Sequence, residues 1–155
     1  MPLYFAYRSN MDPVQMARRC RDSRLVGVGV LDRHAFLINR RGVATVVPAP
    51  DDSVEGVLWE LSGDDLDELD IWEGTASGHY ARSFKPVRIV ETGGTVPAVV
   101  YVAADGRCGP GCRPGYGERV LSGARQHGLS AAYLARLEAL LGLAAPAAGT
   151  AEEGT

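Results

Sequence analysis

The sequence predicts a mixed α+β fold on a largely antiparallel sheet that is closed or strongly curled. Three observations carry this. Strand-like segments outnumber helical ones, and several successive strands are joined by connections too short for parallel crossovers. In addition, Glu91-Thr92-Gly93-Gly94 between two apolar, β-branched runs is a hairpin signature.

The elements follow in chain order. Leu3 to Tyr7 is an aromatic and aliphatic run without a breaker, the pattern of a short buried strand. It stops at Arg8, and a polar turn leads to a helix over Pro13 to Cys20. Asp12 suits the N-cap of that helix, Pro13 its first position, and Met11 and Met16 a hydrophobic staple. A strand entering a helix this way leaves backbone N–H groups free to hold a carboxylate or carbonyl oxygen. Many α/β proteins begin similarly with no ligand there.

Leu25 to Leu31 and His34 to Asn39 read as a hairpin around Asp32-Arg33. Val43 to Val47 and Val54 to Leu61 read as two strands separated by Pro48-Ala49-Pro50-Asp51-Asp52-Ser53, because proline offers no ladder N–H. Ser62 opens the second helix with Asp65 as its capping-box partner, and Gly74 stops it. Leu66, Leu69 and Trp72, spaced i, i+3 and i+6, are assigned to one face of it. Ala81 to Val90 and Thr95 to Val102 form the hairpin, and Ala103 to Gly115 a long loop. Helices over Tyr116 to Gln126 and Ala131 to Leu141 follow, the latter capped by Ser130.

With 155 residues the chain has the length for one domain with a sizeable core, which we assign to residues 1–143. Alanine, glycine and acidic residues over 144–155 predict a disordered tail. A content of 46% apolar and 23% charged residues is that of an ordinary globular protein. A net charge of -3 gives no reason to expect nucleic acid or an anionic membrane as partner. No apolar run approaches a spanning length, and the N-terminus lacks a signal-peptide pattern, so a cytoplasmic location is expected. Three cysteines, an odd count, suit a reducing compartment.

Common catalytic motifs are missing: there is no G-x-S-x-G, H-E-x-x-H, phosphate loop or dinucleotide fingerprint. Cys108-Gly-Pro-Gly-Cys112 would need two further ligands to hold zinc, and Cys20, His34, His79 and His127 are scattered, so no metal is expected. The alternative is a pair of loop thiols. His79, beside Gly78, reads as a turn residue. The acid–base candidate is Glu73, at the C-terminal end of the second helix beside Trp72. Helix-end partial charge and apolar surroundings both disfavour a carboxylate there, and a basic residue would serve stability better. The acids Asp64, Asp65, Asp67, Glu68 and Asp70 are assigned to the solvated side of the helix.

Several separate pieces resemble one family. Tyr4-Phe5-Ala6-Tyr7-Arg8-Ser9-Asn10-Met11 is similar to the Y-F-A-Y-G-S-N-L signature of the γ-glutamyl cyclotransferase-like (AIG2-like) proteins. Gly42 to Pro48 resembles the segment before the family's G-V-L-[WY]-x-L strand, here Gly56 to Leu61. Leu66 to Gly74 with Gly78-His79-Tyr80 resembles L-x-x-L-D-x-x-E-G followed by G-x-Y. Pro114-Gly115-Tyr116 through Tyr133 fits the C-terminal pattern. The resemblance runs from about Leu3 to Leu141, and its specificity lies in the order and spacing of the pieces.

The resemblance implies a small β-barrel flanked by helices. It also implies a cofactor-free lyase reaction: the α-amine of a γ-glutamyl group attacks its own γ-carbonyl, giving 5-oxoproline and a free amine or amino acid. Glu73 stands at the family's catalytic glutamate. Tyr7, Arg8, Ser9, Asn10 and Met11 stand at the loop that holds the glutamyl group, and Tyr80 and Tyr116 at positions lining or bordering that pocket. Such chemistry needs no protein nucleophile, because well-oriented intramolecular attack reaches effective molarities of about 10⁵–10⁸ M. The protein must supply a curled substrate, donors for the developing oxyanion and one base.

Arg8 departs from the family pattern, which has glycine there. Three readings follow: the side chain points to solvent, it contacts a carboxylate or a group of an unusual γ-glutamyl substrate, or it blocks the pocket. The last makes a non-catalytic binding module on the same scaffold the alternative to an enzyme.

Overall fold

The opening apolar run forms a four-residue strand, Leu3–Ala6 (β1), seated between two others. It pairs antiparallel with Ala44–Glu60 (β3), from Leu3 opposite Glu60 to Ala6 opposite Val57, and parallel with Thr95–Ala103 (β5) at Tyr4 and Val99. With Arg24–Ile38 (β2) and Tyr80–Ile89 (β4) the order is β1-β3-β2-β4-β5, closed into a barrel. Closure satisfies the strand edges without a covering layer. The structure, a computed structural model, describes residues 1–143. The predicted disordered tail over 144–155 lies outside the described residues.

Two strand expectations are corrected. Asp32-Arg33 is not a hairpin turn: β2 continues through it, with Arg33 in the left-handed region at φ 59°. Likewise β3 continues from Ala44 through the prolines to Glu60. Asp32 pairs with Ser53 and His34 with Pro48, so Arg33 faces Ala49 to Asp52, which have no ladder partner. Proline interrupts the ladder as expected, but a bulge absorbs the interruption and the strand bends without ending. Such bends let two long strands wrap around a small barrel.

Four helices flank it: Pro13–Arg19 (α1), Gly63–Glu73 (α2), Tyr116–Gln126 (α3) and Ala131–Leu140 (α4). The Asp12 carboxylate caps α1 by accepting from the Val14 N–H, and Met11 and Met16 are fully buried beneath it. Ser62 and Asp65 form the reciprocal capping box of α2. Gly74 ends α2 with φ 68°, a left-handed stop that suits glycine. No helix among the described residues is long and apolar enough to cross a membrane.

The long loop before α3 is tied to the turn after β2. Asn39, fully buried, donates from Nδ2 to the Asp105 carbonyl, the Gly109 N–H donates to the Ile38 carbonyl, and the Arg113 N–H to the Gly42 carbonyl. These bonds bring together segments some seventy positions apart, whose residues Arg41 and Arg113 line one cavity with Glu73.

Candidate active site

Beyond β1 the chain passes through Tyr7 and Arg8 into a 3-10 turn, Ser9–Met11. The turn is clamped on both sides. Trp59 of β3 donates from Nε1 to the Asn10 carbonyl at 3.1 Å, and His127 Nε2 lies 2.7 Å from the Met11 carbonyl. Gly123 of α3 lets the helix sit directly on Met11: an added Cβ would lie 3.0 Å from the Met11 Cβ. Asn10, buried, donates to the Tyr4 hydroxyl and accepts from Gln15 and Arg19. The N–H groups of Ser9 and Asn10 make no hydrogen bond among the described residues.

Arg8 has φ −126°, so its backbone needs no glycine and carries no left-handed strain. Its side chain turns inward, 13% exposed, and Nη2 donates to Glu73 Oε1. The guanidinium also lies 4.2 Å from the Tyr80 ring centroid and 5.3 Å from that of Tyr7. Burial works against this cation, but Glu73 and the surrounding tyrosines outweigh it and hold its pKa above the ordinary arginine value. Of the three readings of Arg8, the solvent-pointing one is excluded.

Glu73 is 5% exposed, as a carboxylate at an apolar helix end was expected to be. The residues that bury it differ from the expected ones. Trp72 is half exposed, and its ring is covered by the Arg19 guanidinium at 4.4 Å. Helical geometry explains this: Leu66, Leu69 and Glu73 are spaced i, i+3 and i+7 and share one face, whereas i+6 falls on its flank.

The Arg8–Glu73 pair lines a cavity of about 420 Å³, within the range of small-molecule sites (~300–1,000 Å³). Among the residues singled out in the sequence, Arg8, Ser9, Glu73, Tyr80 and Tyr116 line it. The Tyr80 hydroxyl donates to the Ala44 carbonyl at 2.7 Å, and the Tyr116 hydroxyl accepts from the Ala44 N–H at 2.9 Å. One residue of β3 thus positions both rings. Burial raises the Tyr80 hydroxyl to about 12, which keeps it a donor at neutral pH.

Tyr7, Asn10 and Met11 do not line the cavity with their side chains. The Tyr7 hydroxyl donates to the Tyr101 carbonyl, Met11 is wholly in the core, and Asn10 braces the turn from below. His79, read as a turn residue, sits at the rim, where its N–H donates to the Gly74 carbonyl that ends α2. Arg19, Arg41, Arg113 and Arg119 also line the cavity and were not singled out. No local pattern marks Arg41, Arg113 and Arg119, which meet only through the docked loop and α3, and Arg19 joins them from the end of α1. Among the described residues no group of three or more His, Cys, Asp or Glu side chains could hold a metal ion.

Two acids assigned to the solvated side of α2 are instead engaged. Asp65 is buried in the capping box, and Asp70 accepts from the Tyr101 hydroxyl at 2.5 Å and from Arg82 Nε at 2.8 Å. Asp70 therefore ties the helix carrying Glu73 to β4 and β5. Partial burial opposes its charge, but the Arg82 and Tyr101 hydrogen bonds prevail and lower its pKa below the ordinary carboxyl value. Because the folded-state pKa is the lower one, this stabilisation is whole above about pH 4 and is lost as pH falls through the folded value. Asp70→Asn is expected to cost about 1 kcal/mol at pH 7. In urea melts the difference from wild type should shrink in acid; a difference independent of pH would refute the charge-based anchor.

A closed five-stranded barrel with a clamped turn after its first strand, facing a buried helix-end glutamate across one cavity, defines a γ-glutamyl cyclotransferase-like protein. The chain belongs to the AIG2-like family, whose family model matches residues 53–137. It is 31% identical over 99 residues to the human protein named gamma-glutamylcyclotransferase, in a match covering 64% of this chain and 52% of that protein. The chain thus spans about half the length of that relative. The Bos taurus protein of the same name is 26% identical over 153 residues, covering 89% of this chain and 78% of its own length. Among solved structures, one titled gamma-glutamyl cyclotransferase has a TM-score of 0.80 at 27% identity, covering 90% of this chain and 87% of that one. YkqA from Bacillus subtilis shares the fold, with a TM-score of 0.79 at 22% identity over 91% of this chain and 54% of its own.

Proposed function

We propose that the chain is a γ-glutamyl cyclotransferase-type enzyme, with Glu73 as general acid and base. The observation that carries this reading is that Glu73 is buried at a helix end yet lines the same cavity as the Arg8–Ser9 turn. The family relationship and the names of its relatives support it.

In this mechanism the γ-glutamyl group lies curled against the turn. Glu73 accepts a proton from the substrate's α-ammonium group, and the freed amine attacks the γ-carbonyl. A C–N bond forms within the glutamyl group, and Glu73 passes its proton to the leaving nitrogen as the C–N bond to that nitrogen breaks. The second proton, shed by the new ring nitrogen, leaves with the free amine as its ammonium form. The products are 5-oxoproline and a free amine or amino acid. No cofactor enters, because the nucleophile belongs to the substrate. The Ser9 N–H, which makes no hydrogen bond among the described residues and belongs to a residue lining the cavity, is the donor this reading assigns to the developing oxyanion. Arg8 uses one Nη2 hydrogen bond on Glu73, and its other guanidinium N–H groups remain for the α-carboxylate of the glutamyl group.

The Arg8–Glu73 contact favours a second reading, a non-catalytic small-ligand or protein-binding module. Incubation with γ-glutamyl amines and γ-glutamyl amino acids, followed by detection of 5-oxoproline, separates the two. The enzyme reading requires release above the Glu73→Gln background. The binding reading requires a ligand-induced rise in melting temperature with no release.

A further inference from the structure

The lining of the cavity is electrostatically one-sided: among the described residues five arginines, Arg8, Arg19, Arg41, Arg113 and Arg119, stand against one acidic residue, Glu73. The chain as a whole carries a net charge of -3, so the imbalance is local and does not reflect composition. Among the described residues, Arg8 alone of these five has a carboxylate partner. Arg19 is held by neutral groups, the Asn10 side-chain carbonyl at 3.0 Å and the Trp72 ring. Arg113 Nε donates to the Arg41 carbonyl at 2.8 Å. The guanidinium groups of Arg41 and Arg119 make no hydrogen bond or ion pair among the described residues. Elsewhere on the surface, Arg82, Arg88, Arg125 and Arg136 each meet an aspartate or glutamate.

Gathering cations on one wall costs mutual repulsion, and the wall here is constructed. Arg41 and Arg113 are brought together by the Arg113 N–H bond to the Gly42 carbonyl, over the fully buried Asn39. Arg119 comes from the first turns of α3, beside Tyr116. Arg41, Arg113 and Arg119 reach the cavity from the turn after β2, the docked loop and α3, whereas Arg8 follows β1 and Glu73 ends α2, and among the described residues none of the three pairs with Glu73. A concave site of one charge sign focuses its field on a ligand of the opposite sign.

We infer that the γ-glutamyl substrate carries two or more anionic groups on its leaving amine, recognised by Arg41, Arg113 and Arg119. This rests on reading the cavity as a γ-glutamyl site. Carboxylate and phosphate share the required chemistry, since a guanidinium binds either through paired charge-assisted hydrogen bonds.

The test measures binding by calorimetry to the Glu73→Gln protein, alongside kcat/KM for the wild type. The ligands are γ-glutamyl-propylamine, γ-glutamyl-alanine, γ-glutamyl-glutamate and γ-glutamyl-O-phosphoserine. Affinity should rise about tenfold per added anionic group, and the ranking should flatten in high salt. Arg41→Gln and Arg119→Gln, made separately, should each cut the preference for γ-glutamyl-glutamate over γ-glutamyl-propylamine by about tenfold. Comparing the glutamate and phosphoserine ligands identifies which anion is preferred, and a strong preference for either supports the inference. Equal binding across the series, or a preference unmoved in both variants, overturns it. A charge-ranked series that binds without being turned over by wild type would defeat the catalytic reading alone.

Discussion

Glu73→Gln is expected to lower 5-oxoproline release by about 10²–10⁴-fold, the usual contribution of one positioned general acid–base group. The substitution isolates proton transfer from structure. Glutamine keeps the size of the side chain, and its carbonyl oxygen can still accept the Arg8 hydrogen bond that Glu73 Oε1 now takes. The helix around it keeps its Ser62 capping box and its Gly74 stop. The loss should therefore appear in kcat with KM close to wild type. The melting temperature should fall less than in Arg8→Ala, because the amide still accepts the Arg8 hydrogen bond although the counter-charge is gone. Wild-type turnover in this variant would remove Glu73 from the mechanism.

Arg8→Ala is expected to give the larger structural effect. It leaves the buried Glu73 carboxylate without its guanidinium and strips the cation from the Tyr80 ring. Breaking a buried pair from one side costs about 3–5 kcal/mol, and the low end applies because the cavity admits water. For a chain of this length that is a fall in melting temperature of roughly 6–12 °C. Arg8→Gly, which places the family's residue at this position, adds a functional comparison. A raised KM with unchanged kcat would mean that Arg8 holds the substrate's carboxylate, and a raised kcat would mean that it obstructs the base. A variant as stable as wild type would show that the pair contributes nothing to the fold.

Much of the framework was legible because it depends on local chemistry. The Asp12 cap, the Ser62–Asp65 box, the Gly74 stop and the Glu91–Gly94 hairpin each use near neighbours, and each forms as expected. The two missed strand continuations have one cause. Arg33 and Pro48 to Ser53 carry real turn chemistry, but pairing along β2 and β3 continues on both sides and the bulge accommodates them. Trp72 does not share the face of Leu66 and Leu69, because i+6 falls on its flank, whereas the i, i+3, i+7 spacing puts Glu73 on the buried face.

For the site, the sequence by itself determined that a polar turn after β1 leading into a capped helix and a glutamate at a glycine-stopped helix end would exist, since both follow from short-range capping; the Trp59 and His127 clamp on that turn is tertiary. Only the tertiary structure decided that Arg8 turns inward onto Glu73. That depends on barrel closure bringing β1 beside the end of α2 and on the Tyr80 ring from β4. The tertiary structure alone also assembled Arg41, Arg113 and Arg119 on one cavity. Their meeting rests on Asn39 and Gly42 docking the loop before α3, contacts between segments whose local patterns say nothing of each other.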